Sequence, residues 1–209
     1  MTQTNEPTDA VRLRRMVAGD EEAFADLYRA KHPLIYRFAL HMTGNAAVAE
    51  DVTQEVFMTL IRNPRRFDPA RGTLGGFLFG IARNHLRKRW ELDRRLISFA
   101  GDPDDLDGVV SNGKTFDNGA SRGGAASSLD EISAVETIGR VRQAISTLPE
   151  NYREVVVLCE LEEMSYEEAA SVLDCPVGTV RSRLHRARAI LVEKLREARP
   201  VRRASAVGE

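Results

Sequence analysis

Apolar residues recur every three or four positions through most of the chain, a spacing that predicts helices and an all-α fold. In residues 20–43, Phe24, Leu27 and Tyr28 lead on to Leu34, Ile35, Phe38 and Leu40, with an interruption expected at Pro33. Asp20 is placed to cap this helix, Glu21 and Glu22 suit the positive end of its dipole, and Gly44 stops it. In the next helix, 46–62, Val48, Val52, Val56 and Leu60 recur every four residues, joined by Phe57 and Ile61 and capped by Asn45. Its opposite side carries Glu50, Asp51, Gln54 and Glu55, which periodicity alone leaves as a solvated acidic face.

A loop of helix breakers, NPRRFDPARG (63–72), precedes a helix expected over 74–95 with Thr73 as its cap. Its first half, LGGFLFGIA, is apolar, although each glycine weakens a helix by about 1 kcal/mol relative to alanine. Its second half, RNHLRKRWELDRR, is strongly basic with Trp90 among the charges. Cations interleaved with aromatics suit single-stranded nucleic acid, where bases stack on rings and cations track the backbone. A basic helix end favoured by its own dipole accounts for the same residues equally well. The glycines do not form a phosphate loop, since GxxxxGK[ST] is absent.

Residues 98–129 change character, being rich in Gly, Ser, Asn and Asp with scattered apolar residues, and read as a flexible acidic linker. Beyond it, Ile132, Val135, Ile138, Val141, Ile145 and Leu148 resume a helical spacing, and Pro149 opens a further helix, PENYREVVVLCELEE. The acids of that helix are expected to face away from any bound DNA.

The most informative stretch is SYEEAASVLDCPVGTVRSRLHRARAILVEKL (165–195), a helix-turn-helix with an arginine-loaded second helix. Ser165 and Glu168 form a capping box for a short helix over 166–173, in which Ala169, Ala170 and Leu173 face inward. Asp174-Cys175-Pro176 breaks it, and a longer helix restarts near Val177 with Val180, Leu184, Ala187 and Leu191 as its inner stripe. On a helical wheel, Gly178, Ser182, His185 and Ala189 lie opposite that stripe, beside Thr179 and Arg186. Arg181, Arg183 and Arg188 flank it. Small polar residues on the crest with arginines on both shoulders suit a helix in a major groove, the crest meeting bases and the shoulders meeting phosphates.

The formal net charge of −1 hides a sorting of charge along the chain. Residues 98–136 hold eight acids against Lys114 and Arg122, whereas residues 177–203 hold nine Lys or Arg against Glu193 and Glu197. That segregation points to a basic face meeting a polyanion. Cys159 and Cys175 match no metal spacing and no disulfide framework, and His32, His41, His85 and His185 form no catalytic or metal cluster. No metal, no cofactor and no enzymatic activity are expected. No apolar run approaches a membrane span and the first residues lack a signal peptide's apolar segment, so membrane insertion is not expected and a cytoplasmic location is.

Two segments carry a family resemblance. LPENYREVVVLCELEEMSYEEAASVLDCPVGTVRSRLHRARAIL (148–191) resembles region four of the extracytoplasmic-function (ECF) sigma factors, of the sigma-70 family. AEDVTQEVFMTLIRNPRRFDPARGTLGGFLFGIARNHLRKRWE (49–91) resembles their region two. The order of the two, separated by a linker, is more specific than either motif alone. With it the chain divides into a tail (1–19), a region-two domain (20–97), the acidic linker (98–130), a region-four helix-turn-helix domain (131–196) and a C-terminal tail (197–209).

The resemblance implies a promoter-specificity subunit for bacterial RNA polymerase, acting in transcription initiation. Asp51, Gln54 and Glu55 would meet the clamp helices of the polymerase's largest subunit, and region four would meet the flap of the second-largest. Arg65, Arg66, Phe77, Arg83, Asn84, Arg87, Lys88 and Arg89 would engage and melt the −10 element, with a base captured in a pocket. Thr179, Arg181, Ser182, Arg183, His185, Arg186 and Arg188 would contact the −35 element. An anti-sigma factor is an implied further partner, and the acidic linker could mimic RNA in the exit path. Phe77 stands where the family often has Trp, Lys88 near a position often acidic, and Asp174 where many relatives have Gly. Two other functions fit the helix-turn-helix alone: a dimeric regulator acting on an operator, and a protein-binding helical adaptor. Neither accounts for both segments.

Overall fold

The computed structural model describes residues 6–100 and 129–197, with side chains over 9–95 and 137–197. The described residues form eight α-helices with short 3₁₀ and π turns between them. They are α1 (Glu6–Val17), α2 (Glu21–Thr43), α3 (Ala46–Arg62), α4 (Leu74–Ala100), α5 (Leu129–Ser146), α6 (Glu150–Val156), α7 (Tyr166–Leu173) and α8 (Val177–Glu197). The expected linker lies almost wholly outside the described residues, as does the C-terminal tail beyond residue 197. The ends that border the linker are helical: α4 runs past the expected stop near residue 95, and α5 begins at Leu129.

Local chemistry sets most boundaries. The Asp20 carboxylate accepts from the Ala23 amide at 3.0 Å and Asn45 caps α3 through the Val48 amide at 3.2 Å. The Thr73 hydroxyl accepts from Gly76 at 3.0 Å at the head of α4. Gly44 closes α2 in the left-handed region with φ 65°, its amide bonding to the Leu40 carbonyl. Pro33 does not interrupt α2, which runs unbroken from Glu21 to Thr43. Leu27, Ile35 and Phe38 on both sides of the proline are buried, so packing outweighs the one lost backbone bond.

The N-terminal segment, expected as a tail over 1–19, contains a helix, α1, packed on α2. Its apolar positions, Ala10, Leu13 and Val17, fall at helical spacing but are few among charged residues, so tertiary contacts hold it. Leu13 enters the core, and the buried Asp9 carboxylate pairs with Lys31 of α2 at 2.5 Å. In α3, Val52, Val56, Phe57 and Leu60 are buried as the spacing predicts, but Ile61 is exposed. A helix stripe is about 100° wide, and Ile61 falls at its edge.

α6 passes directly into a π turn, Val157–Leu161, in which the Glu162 amide bonds to the Val157 carbonyl at 2.9 Å. One hydrophobic cluster runs through both helical regions, from Leu27, Phe38 and Leu78 to Val155, Leu158 and Leu184. α7 lies against α4, and α5 and α6 lie against α2. The Arg153 guanidinium binds this junction, donating to the carbonyl of Met42 at 2.6 Å and to that of Leu148 at 2.9 Å.

Candidate nucleic-acid interface

The helix-turn-helix is built as its sequence prescribes. The Ser165 hydroxyl accepts from the Glu168 amide at 3.2 Å while the Glu168 carboxylate accepts from the Ser165 amide at 3.0 Å, completing the capping box. Asp174 makes the turn at φ 52°, a left-handed conformation that Asp adopts more readily than most residues. Ala169 and Ala170 are buried at the α7–α8 crossing, where their small side chains let the helices approach.

Val180, Leu184 and Ala187 pin α8 to the core, leaving Gly178, Ser182, His185, Arg186 and Ala189 exposed along the opposite side. Thr179 and Arg183 are half-buried on its flanks. Arg181 lies 5.7 Å from the centroid of the Tyr166 ring and 4.0 Å from Glu167, so α7 orients it. Arg188 is paired with Glu160, at the end of the π turn. The π turn brings that carboxylate round to α8. The Glu160 hydrogen bond raises the Arg188 pKa above the usual arginine range. Arg186 and His185 thus form the centre of an exposed polar crest, and Arg181 and Arg188 are braced beside it.

A second cationic surface lies on α4 and the loop before it. Asn84, Arg87 and Lys88 are exposed on one side of the helix, Arg89 is exposed further round toward α3, and Arg65 and Arg66 project from the 3₁₀ turn Pro64–Arg66. Phe77 is half-buried with its ring 5.6 Å from that of Phe67 in the loop. Phe67 also lines an open, mainly apolar cleft of about 520 Å³ between α1 and the loop, with Leu13, Arg14, Val17 and Arg65. Arg14 escaped the sequence reading because α1 was not foreseen there. Arg83 differs from its neighbours. It is turned inward, donating its Nε to Glu154 Oε1 at 2.7 Å.

The outer face of α3 presents Asp51, Gln54 and Glu55 to solvent, as its spacing predicts. Met58 and Ile61, 41% and 46% exposed, lie along the same face. Asp51 also lies 3.8 Å from Arg89, placing the acidic face beside the cationic one. Burial lowers the pKa of His85, which packs between α4 and α3 with Thr59 at 3.5 Å.

Among the described residues, no helix is long and apolar enough to cross a membrane. The family model described as Sigma-70 region 2 matches residues 27–96, and that described as Sigma-70, region 4 matches residues 138–191. The chain is 32% identical over 193 residues to the ECF RNA polymerase sigma factor SigW of Bacillus subtilis, spanning 89% of this chain and 96% of that protein. It is 32% identical over 198 residues to the ECF RNA polymerase sigma-E factor of Escherichia coli, spanning 90% and 94%. Among solved structures, the sigma factor RpoE in complex with the anti-sigma factor NepR from Bartonella quintana aligns at TM-score 0.62 and 27% identity, over 84% of this chain and 98% of that one. CnrH in complex with the cytosolic domain of CnrY aligns at TM-score 0.62 and 26% identity, over 91% and 99%.

Proposed function

The chain belongs to the ECF RNA polymerase sigma factors, and from that premise we propose that it joins core RNA polymerase through α3 and promoter DNA through α4 and α8. The observation that most directly supports this is the occurrence of two exposed cationic helix faces in one chain, one on each region. The crest of α8 reads base edges of the −35 element, with Ser182, His185 and Arg186 specifying and Arg181, Arg183 and Arg188 holding phosphates. Thr179 meets the backbone at the head of the helix.

On α4, Asn84, Arg87, Lys88 and Arg89 follow the unpaired −10 strand, together with Arg65, Arg66 and Arg83. An unstacked base enters the cleft beside Phe67 and Phe77, whose apolar walls and flanking guanidiniums of Arg14 and Arg65 suit an aromatic ring on a charged backbone. Asp51, Gln54 and Glu55, with Met58 and Ile61 among them, dock on the clamp helices of the largest polymerase subunit, while region four meets the flap of the second-largest. The chain supplies specificity and strand opening to an enzyme whose chemistry lies in the core, and it works in the cytoplasm where that core resides. An anti-sigma factor is a further partner, a reading supported by the aligned RpoE structure, which is a complex with the anti-sigma factor NepR.

Reconstitution tests the reading. Core polymerase mixed with this chain should initiate at defined start sites on a promoter library, and core alone should not. A dimer that binds an operator and ignores core polymerase would replace this reading with that of a stand-alone regulator.

A further inference from the structure

Two arginines on one edge of α8, Arg181 and Arg188, share an aromatic neighbour in α7, Tyr166. Seven residues separate them, so they leave the helix two turns apart, about 10 Å along its axis. On the wheel they fall within about 20° of each other, whereas Arg186 lies about 140° from Arg181. Both are exposed, with side chains 63% and 56% accessible. An exposed arginine samples many rotamers, and ordering it against a phosphate costs binding free energy.

Tyr166 is fixed before it meets either of them. It is the first residue of α7, directly after the Ser165 cap, whose reciprocal bonds with Glu168 set the backbone there. Its side chain is half-buried and packs against the hydrophobic cluster, so its two torsions have little freedom. The Arg181 guanidinium carbon lies 5.7 Å from the ring centroid, within range of the ring's negative face. At Arg188 the Glu160 hydrogen bond first, and the Tyr166 phenol after it, raise the guanidinium pKa. Glu167 stands 4.0 Å from Arg181, so each arginine also has a carboxylate beside it. A guanidinium carries five donors in a planar fork and one carboxylate engages about two of them, which leaves others to bind phosphate.

Resting on the reading of α8 as a DNA-binding helix, we infer that Tyr166 is a positioning residue for DNA: its ring seats Arg181 and its hydroxyl seats Arg188, presetting two phosphate contacts on one edge of α8. Tyr166 reads no base. It raises affinity for all duplexes and leaves sequence preference to the crest. The short helix of the helix-turn-helix thereby sets the strength of binding as well as the angle at which α8 is held.

Double-mutant cycles in the full chain test this, with binding to a −35 duplex and to a scrambled duplex read by fluorescence anisotropy at low salt. Tyr166→Leu keeps an apolar side chain on the core while removing ring and hydroxyl, and should weaken both duplexes about tenfold. In a background of Arg181→Ala with Arg188→Ala, the same change should cost less than about twofold, because nothing is left to position. In an Arg186→Ala background the loss of about tenfold should persist. Tyr166→Phe retains the ring, should weaken binding only about threefold, and should be silent once Arg188 is alanine.

A loss that survives in the double-alanine background would reduce Tyr166 to a packing residue and overturn the proposal. Unchanged affinity in Tyr166→Leu, or a loss confined to the −35 duplex, would overturn it as well. A wild-type chain that binds both duplexes equally, with the cycles as expected, would instead sink the promoter reading and leave Tyr166 in its role.

Discussion

Arg181 and Arg186 sit five residues apart on α8 but are held differently. Arg181 is braced by Tyr166 and Glu167, while Arg186 projects from the exposed crest. Arg186→Ala should therefore relax preference at one promoter position at a cost of about 1–3 kcal/mol. Arg181→Ala should weaken all sequences alike and flatten the salt dependence of binding. Identical profiles for the two on a −35 library would contradict the assignment of crest and shoulder. His41 carries a pH effect of its own. Burial, then the Arg142 and Arg37 charges, lower its pKa from 6.5 to about 4, and its Nδ1 finds no hydrogen-bond partner among the described residues. The unfolded chain thus binds the extra proton between those values, so stability present above pH 6.5 is lost as pH falls toward 4. His41→Gln should lose less stability than wild type between pH 7 and 5, by on the order of 1 kcal/mol after screening, in urea titrations.

Among the elements, α3 makes the sharpest prediction. Asp51→Lys with Glu55→Lys leaves the buried face of Val52, Val56 and Leu60 untouched, so far-ultraviolet circular dichroism should be unchanged. Affinity for core polymerase should fall at least about tenfold, read by competition with the wild-type chain. Charge removal at Arg87 and Lys88 should leave core binding intact and reduce permanganate reactivity of the −10 strand. How far such elements can be read from sequence depends on what holds them. Caps and stripes are local chemistry, which is why Asp20, Asn45, Ser165 and Glu168 and the span of α7 are visible in the residues themselves. α1 is held by the distant partners of Asp9 and Leu13, and the inward turn of Arg83 by Glu154, seventy-one positions away. No local pattern encodes a partner at that distance. The π turn is likewise silent in the sequence, and it is what redirects Glu160 toward Arg188.

At the scale of the molecule, promoter spacing is a property of the docked complex. On the proposed function, the separation of the two DNA surfaces on polymerase would be imposed by where α3 and region four dock. Inserting about half a helical turn between the elements should therefore nearly abolish run-off transcription, while replacing acids in 101–128 with Gly and Ser of equal length should leave the spacing optimum where it was. A shifted optimum would make that segment a ruler. The shared hydrophobic cluster has one more consequence, which concerns the chain as two polypeptides. If residues 101–128 are omitted and 1–100 and 129–209 are expressed separately, the halves should co-purify, because the cluster, the Arg83–Glu154 pair and the Arg153 bond to the Met42 carbonyl need no covalent continuity. Their dissociation constant then becomes a scale for the intact molecule. If covalent linkage supplies an effective concentration of about millimolar, halves that associate at about 10 μM would set roughly one molecule with its halves apart against a hundred with them together.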